Sequence, residues 1–334
     1  MKSQVLHWKG FSGPSKSQHP TALQLLIRKE TADWVRSWRF ILLLSLILLT
    51  FLASIYVSMS HLRAAVSNTV DPDRTLLYLK ILTTTDGTLP PFHVLMSFLG
   101  AILGIGLGFD AVNVEQNSGT LIRLLAQPVY RDNFLLAKLL SPLMVVTTLF
   151  FSLGLVMIGA GMMITGVPIE PGEFCRILSF ILLTVLYVSF WLCLAMLFSV
   201  IFRLPATSAL TAMAVWLFFT IFYRIIVNMI AKAFLPDPAF LSPAEILESN
   251  NLILNILRFS PGQQYTDATT VLLMPSIRSL GPLSMEQMAG AIPSPLSFRE
   301  SILIAWPQLT GLLGATTVCF ALSYYLFMRR DIRN

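Results

Sequence analysis

The chain has 334 residues, of which 55% are hydrophobic and 12% are charged, with a formal net charge of +6. A soluble domain carries about 25% charged residues, so this composition excludes the soluble globular class and predicts an integral membrane protein. The three cysteines, Cys175, Cys193 and Cys319, have no paired spacing. They therefore predict neither a disulfide framework nor a cysteine metal site.

The segment before the first long apolar stretch has an amphipathic pattern. In PTALQLLIRKETADWVRSWRF, apolar side chains share one helical face and charged side chains lie largely on the other. This pattern is typical of a helix in the plane of the membrane interface, with tryptophans at headgroup level. A simple membrane anchor and a partner-binding helix both fit the pattern. The charged and aromatic residues of interest on this helix are Lys29, Glu30, Asp33, Trp34 and Arg36.

Six apolar stretches are long enough to cross a bilayer, which takes about 20 helical residues. None of them contains Asp, Glu, Lys or Arg. We therefore predict an all-α integral membrane protein, with an N-terminal tail and interfacial helix (1–39) followed by one six-span domain (40–334). The predicted transmembrane helices cover residues 40–59, 92–109, 139–165, 177–202, 206–223 and 302–327.

Lysine and arginine are distributed unevenly between the connecting segments. If the N-terminus is cytoplasmic, the cytoplasmic segments hold 14 Lys and Arg in 78 residues and the external segments hold 8 in 113. Such an excess marks the cytoplasmic side of a membrane protein. We therefore expect both termini and the 110–133 loop in the cytoplasm, in a multi-pass protein of the inner (cytoplasmic) membrane. The basic charge then reflects topology, and nucleic acid is not an expected partner.

The 110–133 loop has its own helix signals. Asn117 or Ser118 can cap a helix at residues 119–126, and Pro128 would end it. A helix of about two turns is too short to be stable alone. It therefore needs a surface on which to dock.

The loop also contains the pattern E-x-x-x-G-T-L-x-x-L-L-x-x-P-V-x-R-x-x-x-L-x-x-K, which begins at Glu115 and ends at Lys138. This pattern resembles the signature of ABC type-2 permeases, the membrane subunits of ATP-driven exporters. Ala137 departs from it, because the family usually has glycine there. The interfacial helix, the six spans and the basic tail YYLFMRRDIR extend the resemblance over the whole layout.

The resemblance implies a coupling helix in the 110–133 loop, which sits in a cleft of a separate ATP-binding subunit, and a connecting helix before the first span. Two permeases, identical or paralogous, would pair above two ATP-binding subunits, which would bind ATP and magnesium. This chain would then be no enzyme and would hold no cofactor or metal. The residues implied at the interface with the ATP-binding subunit are Glu115, Ser118, Gly119, Thr120, Leu121, Leu124, Leu125, Pro128 and Arg131.

Two further features lie outside that loop. Gly100, Gly104 and Gly108 form a small-residue series that favours close helix packing, either within the chain or in a permease dimer. The 231–300 segment is apolar but broken at Pro261 and Gly262, and each half is too short to span. We expect external or re-entrant helices there, which close the outer exit. Arg224 is expected at the outer end of the fifth span, where it snorkels or contacts substrate.

The sequence therefore favours an exporter permease with alternating access driven through the coupling helix. One alternative is a permease-like subunit that transports nothing and transmits ATP-driven motion to an external partner. A secondary transporter usually needs ionisable groups deep within its spans, and the predicted spans have none. An intramembrane enzyme is disfavoured because all four histidines lie outside the predicted spans or at their edge.

Overall fold

The computed structural model describes residues 22–67, 76–83, 90–121, 130–234, 242–275 and 296–330. Every regular element in these residues is a helix, and six of the helices are long and apolar enough to cross a membrane. The predicted all-α, six-span fold class is confirmed. The six candidate spans are Trp38–Ser58, Phe92–Asn117, Arg131–Met163, Pro171–Ile201, Pro205–Phe234 and Phe298–Arg329.

The helices begin where the local sequence provides a start signal. Four of them have proline in the first turn, where a missing backbone N–H costs no helical hydrogen bond. Ser242 and Ser297 each form a capping box with a glutamate three residues later. In chain order the helices are α1 (Ala22–Val35), α2 (Trp38–Ser67), α3 (Leu77–Thr83), α4 (Phe92–Gly108), α5 (Asn113–Asn117), α6 (Arg131–Thr165), α7 (Pro171–Ile201), α8 (Pro205–Phe234), α9 (Pro243–Leu257), α10 (Pro261–Leu273) and α11 (Phe298–Arg329).

All six spans are longer than the apolar pattern predicted, and the extensions of the fourth and fifth spans bring in notable residues. Helix α7 begins at Pro171, so it includes Glu173 and Arg176, which the sequence had placed outside the span. Both side chains are buried and hydrogen-bonded, which offsets the cost of removing them from water. Helix α8 continues to Phe234 and contains a π-helical segment at Phe218–Phe222.

Helix α7 lies at the centre of the bundle, where it packs most extensively against α4 and α11. The contact with α4 depends on glycine. A Cβ atom on Gly104 would lie 2.6 Å from the Val188 carbonyl oxygen, and one on Gly108 would lie 2.5 Å from that of Leu192. One on Gly100 would lie 3.3 Å from Tyr187. The glycine series therefore packs α4 against α7 of the same chain.

Helix α3 was missed by the sequence analysis, which expected an external loop over residues 60–91. Tyr78, Leu79, Ile81 and Leu82 are buried in the main core. The Tyr78 backbone N–H donates to Glu173 Oε1 at 3.0 Å. This buried carboxylate therefore fastens the start of α3 to the start of α7.

Helix α10 packs into the bundle between α7, α11 and α4. Its Tyr265 stacks on Tyr187 with ring centroids 4.4 Å apart, and the Tyr265 hydroxyl hydrogen-bonds that of Thr184 at 2.9 Å. The helix break lies at residues 258–260, because Pro261 starts α10. Arg176 donates to the Leu272 carbonyl oxygen at 3.0 Å, so α7 also holds the carboxyl end of α10.

The substitution Gly104→Ala tests the close packing of α4 on α7. The new methyl group would overlap backbone atoms of α7, and such overpacking costs about 1–3 kcal/mol. We expect a clearly lower unfolding temperature for the detergent-purified protein. The control is Gly314→Ala in α11, where a Cβ meets nothing within 4 Å. That change should be neutral or stabilising by about 0.5–1 kcal/mol, because alanine favours a helix interior. Equal unfolding temperatures for the two variants would contradict this account.

Candidate coupling site

A cluster of four charged side chains lies where α1, α5 and α6 meet. Lys138 Nζ donates to Glu30 Oε2 at 2.7 Å and lies 2.6 Å from Glu115 Oε1. Lys29 Nζ lies 3.2 Å from Glu30 Oε1 and 3.9 Å from Glu115 Oε1. Two cations therefore balance two anions. We call these four residues the ion cluster.

The members of the ion cluster differ in burial. The exposed fraction of the side chain is 10% for Lys138, 7% for Glu30 and 12% for Glu115, but 50% for Lys29. Removing one partner from a buried pair leaves an uncompensated charge and is strongly destabilising. The bonds of Lys138 therefore hold the cluster together, while Lys29 completes its charge balance at the surface.

Helix periodicity explains why Glu30 and Lys138 face each other. Leu26 and Glu30 lie one turn apart on the buried face of α1. That face packs along α6, where the Thr31 and Ser141 hydroxyls hydrogen-bond at 2.9 Å. Lys138 precedes Ser141 by one turn on the same face of α6. Helix α1 is therefore fixed to the first part of the third span.

The segment after α4 is also fastened to the fourth span. The backbone N–H groups of Val112 and Asn113 both donate to Ser199 Oγ, at 3.0 and 3.2 Å. Asn117 Nδ2 donates to the Arg203 carbonyl oxygen at 2.8 Å, just before α8 begins. The sequence analysis did not identify Ser199, because a serine within an apolar helix carries no local signal of its role.

Leu121 lies beneath this segment and is 2% exposed. It belongs to a small apolar cluster at this end of the bundle, formed by Ala111, Val112, Leu121, Phe134, Leu135, Met196, Val200 and Phe327. We expected Leu121 on the surface of a docked helix, and that expectation is wrong. The leucine instead anchors the loop to the third, fourth and sixth spans of its own chain.

The outer side of the same loop is exposed. Val114 is 42% exposed, Tyr130 is 79% exposed, and Ser118 and Thr120 are also exposed. Gly119 lies between them with φ of +69°, a backbone conformation that glycine adopts without strain. We call Val114, Ser118, Thr120 and Tyr130 the loop surface. Val114 and Tyr130 were not among the predicted site residues.

The other predicted residues lie in varied surroundings. Gly119 is a turn residue, so the predicted helix does not start there, although Thr120 and Leu121 are helical. Arg131 is half-buried and begins α6. The remaining predicted residues of the loop, Leu124, Leu125 and Pro128, lie outside the described residues.

On α1, the predicted side chains divide between the surface and the interior. Asp33 and Arg36 are exposed, while Trp34 is half-buried and packs against the main core. Glu30 was expected to face a partner but is buried in the ion cluster, because Lys138 of the same chain neutralises it. The exposed side of α1 therefore adjoins the loop surface through Lys29, which lies 3.9 Å from both Asp33 and Glu115.

The sequence matches a known family over almost its whole length. A family model described as "ABC-2 family transporter protein" matches residues 24–332, which include every span. The chain belongs to the ABC-2 transporter family. It is an ABC-2 permease, a multi-pass membrane subunit of a family that normally works with an ATP-binding subunit. No curated protein matches the chain in a sequence comparison.

The role of Lys138 in this permease was not predicted from the sequence. Lys138 ends the family-like pattern, but it was not predicted as a site residue, since a lysine next to a span usually marks only the membrane boundary. The available signal was its spacing from Glu115 in that pattern. The structure shows that these two residues form the shortest contact of the ion cluster.

The substitution Lys138→Met tests the ion cluster. It leaves Glu30 and Glu115 buried without their shared cation, which should destabilise the permease by about 3–5 kcal/mol. Hydrogen exchange should become faster across α1, because α1 loses its buried ion pair with α6, although it keeps the weaker Thr31–Ser141 hydrogen bond. Exchange is measured by mass spectrometry on the purified protein. The matched control is Lys29→Met, which should cost less than about 1 kcal/mol because Lys29 is half-exposed. Unchanged exchange in α1 of the Lys138→Met variant would refute the role of the cluster.

Proposed function

We propose that this permease is the membrane subunit of an ATP-driven exporter and that the loop surface and the exposed side of α1 dock a separate ATP-binding subunit. The observation that carries the proposal is the ion cluster, which joins α1, α5 and the third span beneath that surface. Because the cluster holds α1 and the loop together, a subunit docked on this surface would act on both at once. The family's normal use of an ATP-binding subunit supports the same reading.

The contacts of the loop provide a path for movement into the spans. Displacement of the loop surface passes to α6 through Glu115 and Lys138 and to α7 through the two N–H bonds to Ser199. It passes to the start of α8 through Asn117 and Arg203. Three spans would therefore respond to one docked subunit. This supports alternating access driven from outside the chain.

We also propose that ATP and magnesium bind in the partner subunit and that two permeases, identical or paralogous, pair above two such subunits. Large apolar side chains on α2, α8 and α11 are exposed, among them Leu49, Leu210 and Val318. Surfaces of this kind suit contact with lipid or with a second permease. Helix pairing in the membrane then depends on close packing and polar contacts, since lipid removes the hydrophobic drive.

In the proposed orientation the permease lies in the inner (cytoplasmic) membrane, with the coupling site and both termini in the cytoplasm. The excess of Lys and Arg on that side supports it. ATP-binding subunits need cytoplasmic ATP, so the proposed docking requires this loop to lie in the cytoplasm. We infer export from the resemblance to type-2 permeases.

The double substitution Ser118→Arg with Thr120→Arg tests the docking proposal. Both side chains are exposed, so the chain should still insert and fold. Two added cations and their bulk on the loop surface should weaken docking by about tenfold or more, because each like-charge or steric mismatch at an interface costs several kcal/mol. The measurement is the amount of ATP-binding subunit that co-purifies with the permease from membranes.

The matched control adds two arginines, and the same charge, at the far end of the bundle, through Ala244→Arg with Asn251→Arg on exposed positions of α9. The control should retain its ATP-binding subunit. If the Ser118→Arg/Thr120→Arg variant also retains all of its ATP-binding subunit, the docking surface has been assigned wrongly. The cytoplasmic placement of this loop would then be wrong as well.

A further inference from the structure

A cavity of about 200 Å³ lies far from the coupling site. Its walls come from α4, α7, α8, the end of α9 and the first turns of α10. Arg224 in this wall is about 30 Å along α8 from the end that contacts the loop. The volume greatly exceeds the roughly 10–15 Å³ that one water needs. The cavity is therefore large enough to take a polar group of several atoms.

One wall of the cavity is cationic. Arg224 Nη2 donates to Gln263 Oε1 at 2.9 Å, and Gln263 Nε2 donates to Asp267 Oδ1 at 2.7 Å. Asp267 also forms a salt bridge with Arg258, at 3.1 Å. Arg258 therefore pairs with Asp267 directly, whereas Arg224 is linked to it only through Gln263. Among the described residues Arg224 has no carboxylate in salt-bridge contact, and it lies in the cavity wall, where an anion could bind it.

Another part of the cavity wall is aromatic and apolar. It includes Phe98, Phe219, Tyr187 and Leu257. Phe219 belongs to the π-helical segment of α8, and its carbonyl oxygen accepts a hydrogen bond from Ser260 at 3.4 Å. π-Helical segments within longer helices often occur at functional sites. This segment shapes the cavity wall directly before Arg224.

We propose that this cavity binds an anionic amphiphile, with a phosphate or carboxylate group on Arg224 and an apolar body against the aromatic wall. Arg224 is exposed and has no carboxylate in salt-bridge contact among the described residues, so an anionic ligand can reach its guanidinium and pair with it. The guanidinium fork offers two parallel N–H donors to such a group. Gln263 holds the guanidinium toward the cavity. Identifying this ligand with the exported cargo rests on the proposed function, but binding itself does not.

Binding to the purified permease tests the proposal without any ATP-binding subunit. Native mass spectrometry in a non-ionic detergent would compare three probes: dodecyl phosphate, dodecylphosphocholine and inorganic phosphate. We expect dodecyl phosphate to bind most tightly. Dodecylphosphocholine and inorganic phosphate should each bind at least about tenfold more weakly, because choline cancels the net negative charge of the first and the second has no apolar chain. This comparison uses the unaltered chain, so it decides the matter even if a variant fails to fold.

Substitution then assigns the binding to the cavity. Arg224→Gln should weaken dodecyl phosphate binding by about tenfold or more, and Arg224→Lys by less, since lysine keeps the charge but not the fork. The control Arg299→Gln removes an exposed arginine at the start of α11 that does not line the cavity, and it should leave binding unchanged. Equal binding of dodecyl phosphate to the Arg224→Gln variant would overturn the proposal. If dodecylphosphocholine binds as tightly as dodecyl phosphate, the proposal that the ligand is anionic is wrong. If inorganic phosphate binds as tightly, the proposal that the ligand is an amphiphile is wrong.

Discussion

The buried position of Lys138 is the constraint on which this end of the permease depends. Glu30 and Glu115 come from helices far apart in the chain, and two buried carboxylates repel each other unless a cation lies between them. Lys138 supplies that cation from the third span. As a result α1, the segment around α5 and α6 meet at one place. The loop surface lies on a rigid base, although α5 itself is only five residues long.

The same principle recurs at the other end of the bundle with different partners. Glu173 and Arg176 lie within the fourth span, yet each has backbone partners supplied by short helices that fold against it. Arg176 in particular bonds the Leu272 and Leu296 carbonyl oxygens and the Ser301 hydroxyl. Helix α7 therefore connects the loop at one end with α3 and α10 at the other, and the glycines of α4 allow it to pack closely at the centre.

The six spans were predictable because each contains a long uncharged run, which has few alternatives to a membrane helix. Their true ends were not, because the burial of Glu173 and Arg176 depends on tertiary partners that no local pattern shows. The coupling site was predictable only in part, because its tertiary contacts also leave no local pattern in the sequence. The family resemblance pointed to Leu121 and to the helix that carries Glu30, but it could not show that Phe134 and Lys138 of the same chain cover these two side chains. Helix α3, at seven residues, was too short to give a periodic signal.

From the ion cluster we propose that α1 and the loop move as one body when ATP binds to a partner subunit. Pulsed electron paramagnetic resonance can measure the distance between spin labels at Asp33→Cys and Thr120→Cys, both exposed, after the three native cysteines are replaced by alanine. The account predicts one narrow distance distribution, with the same maximum in the nucleotide-free and the ATP-bound complex. A maximum that shifts on ATP binding, or a broad distribution in either state, would contradict it.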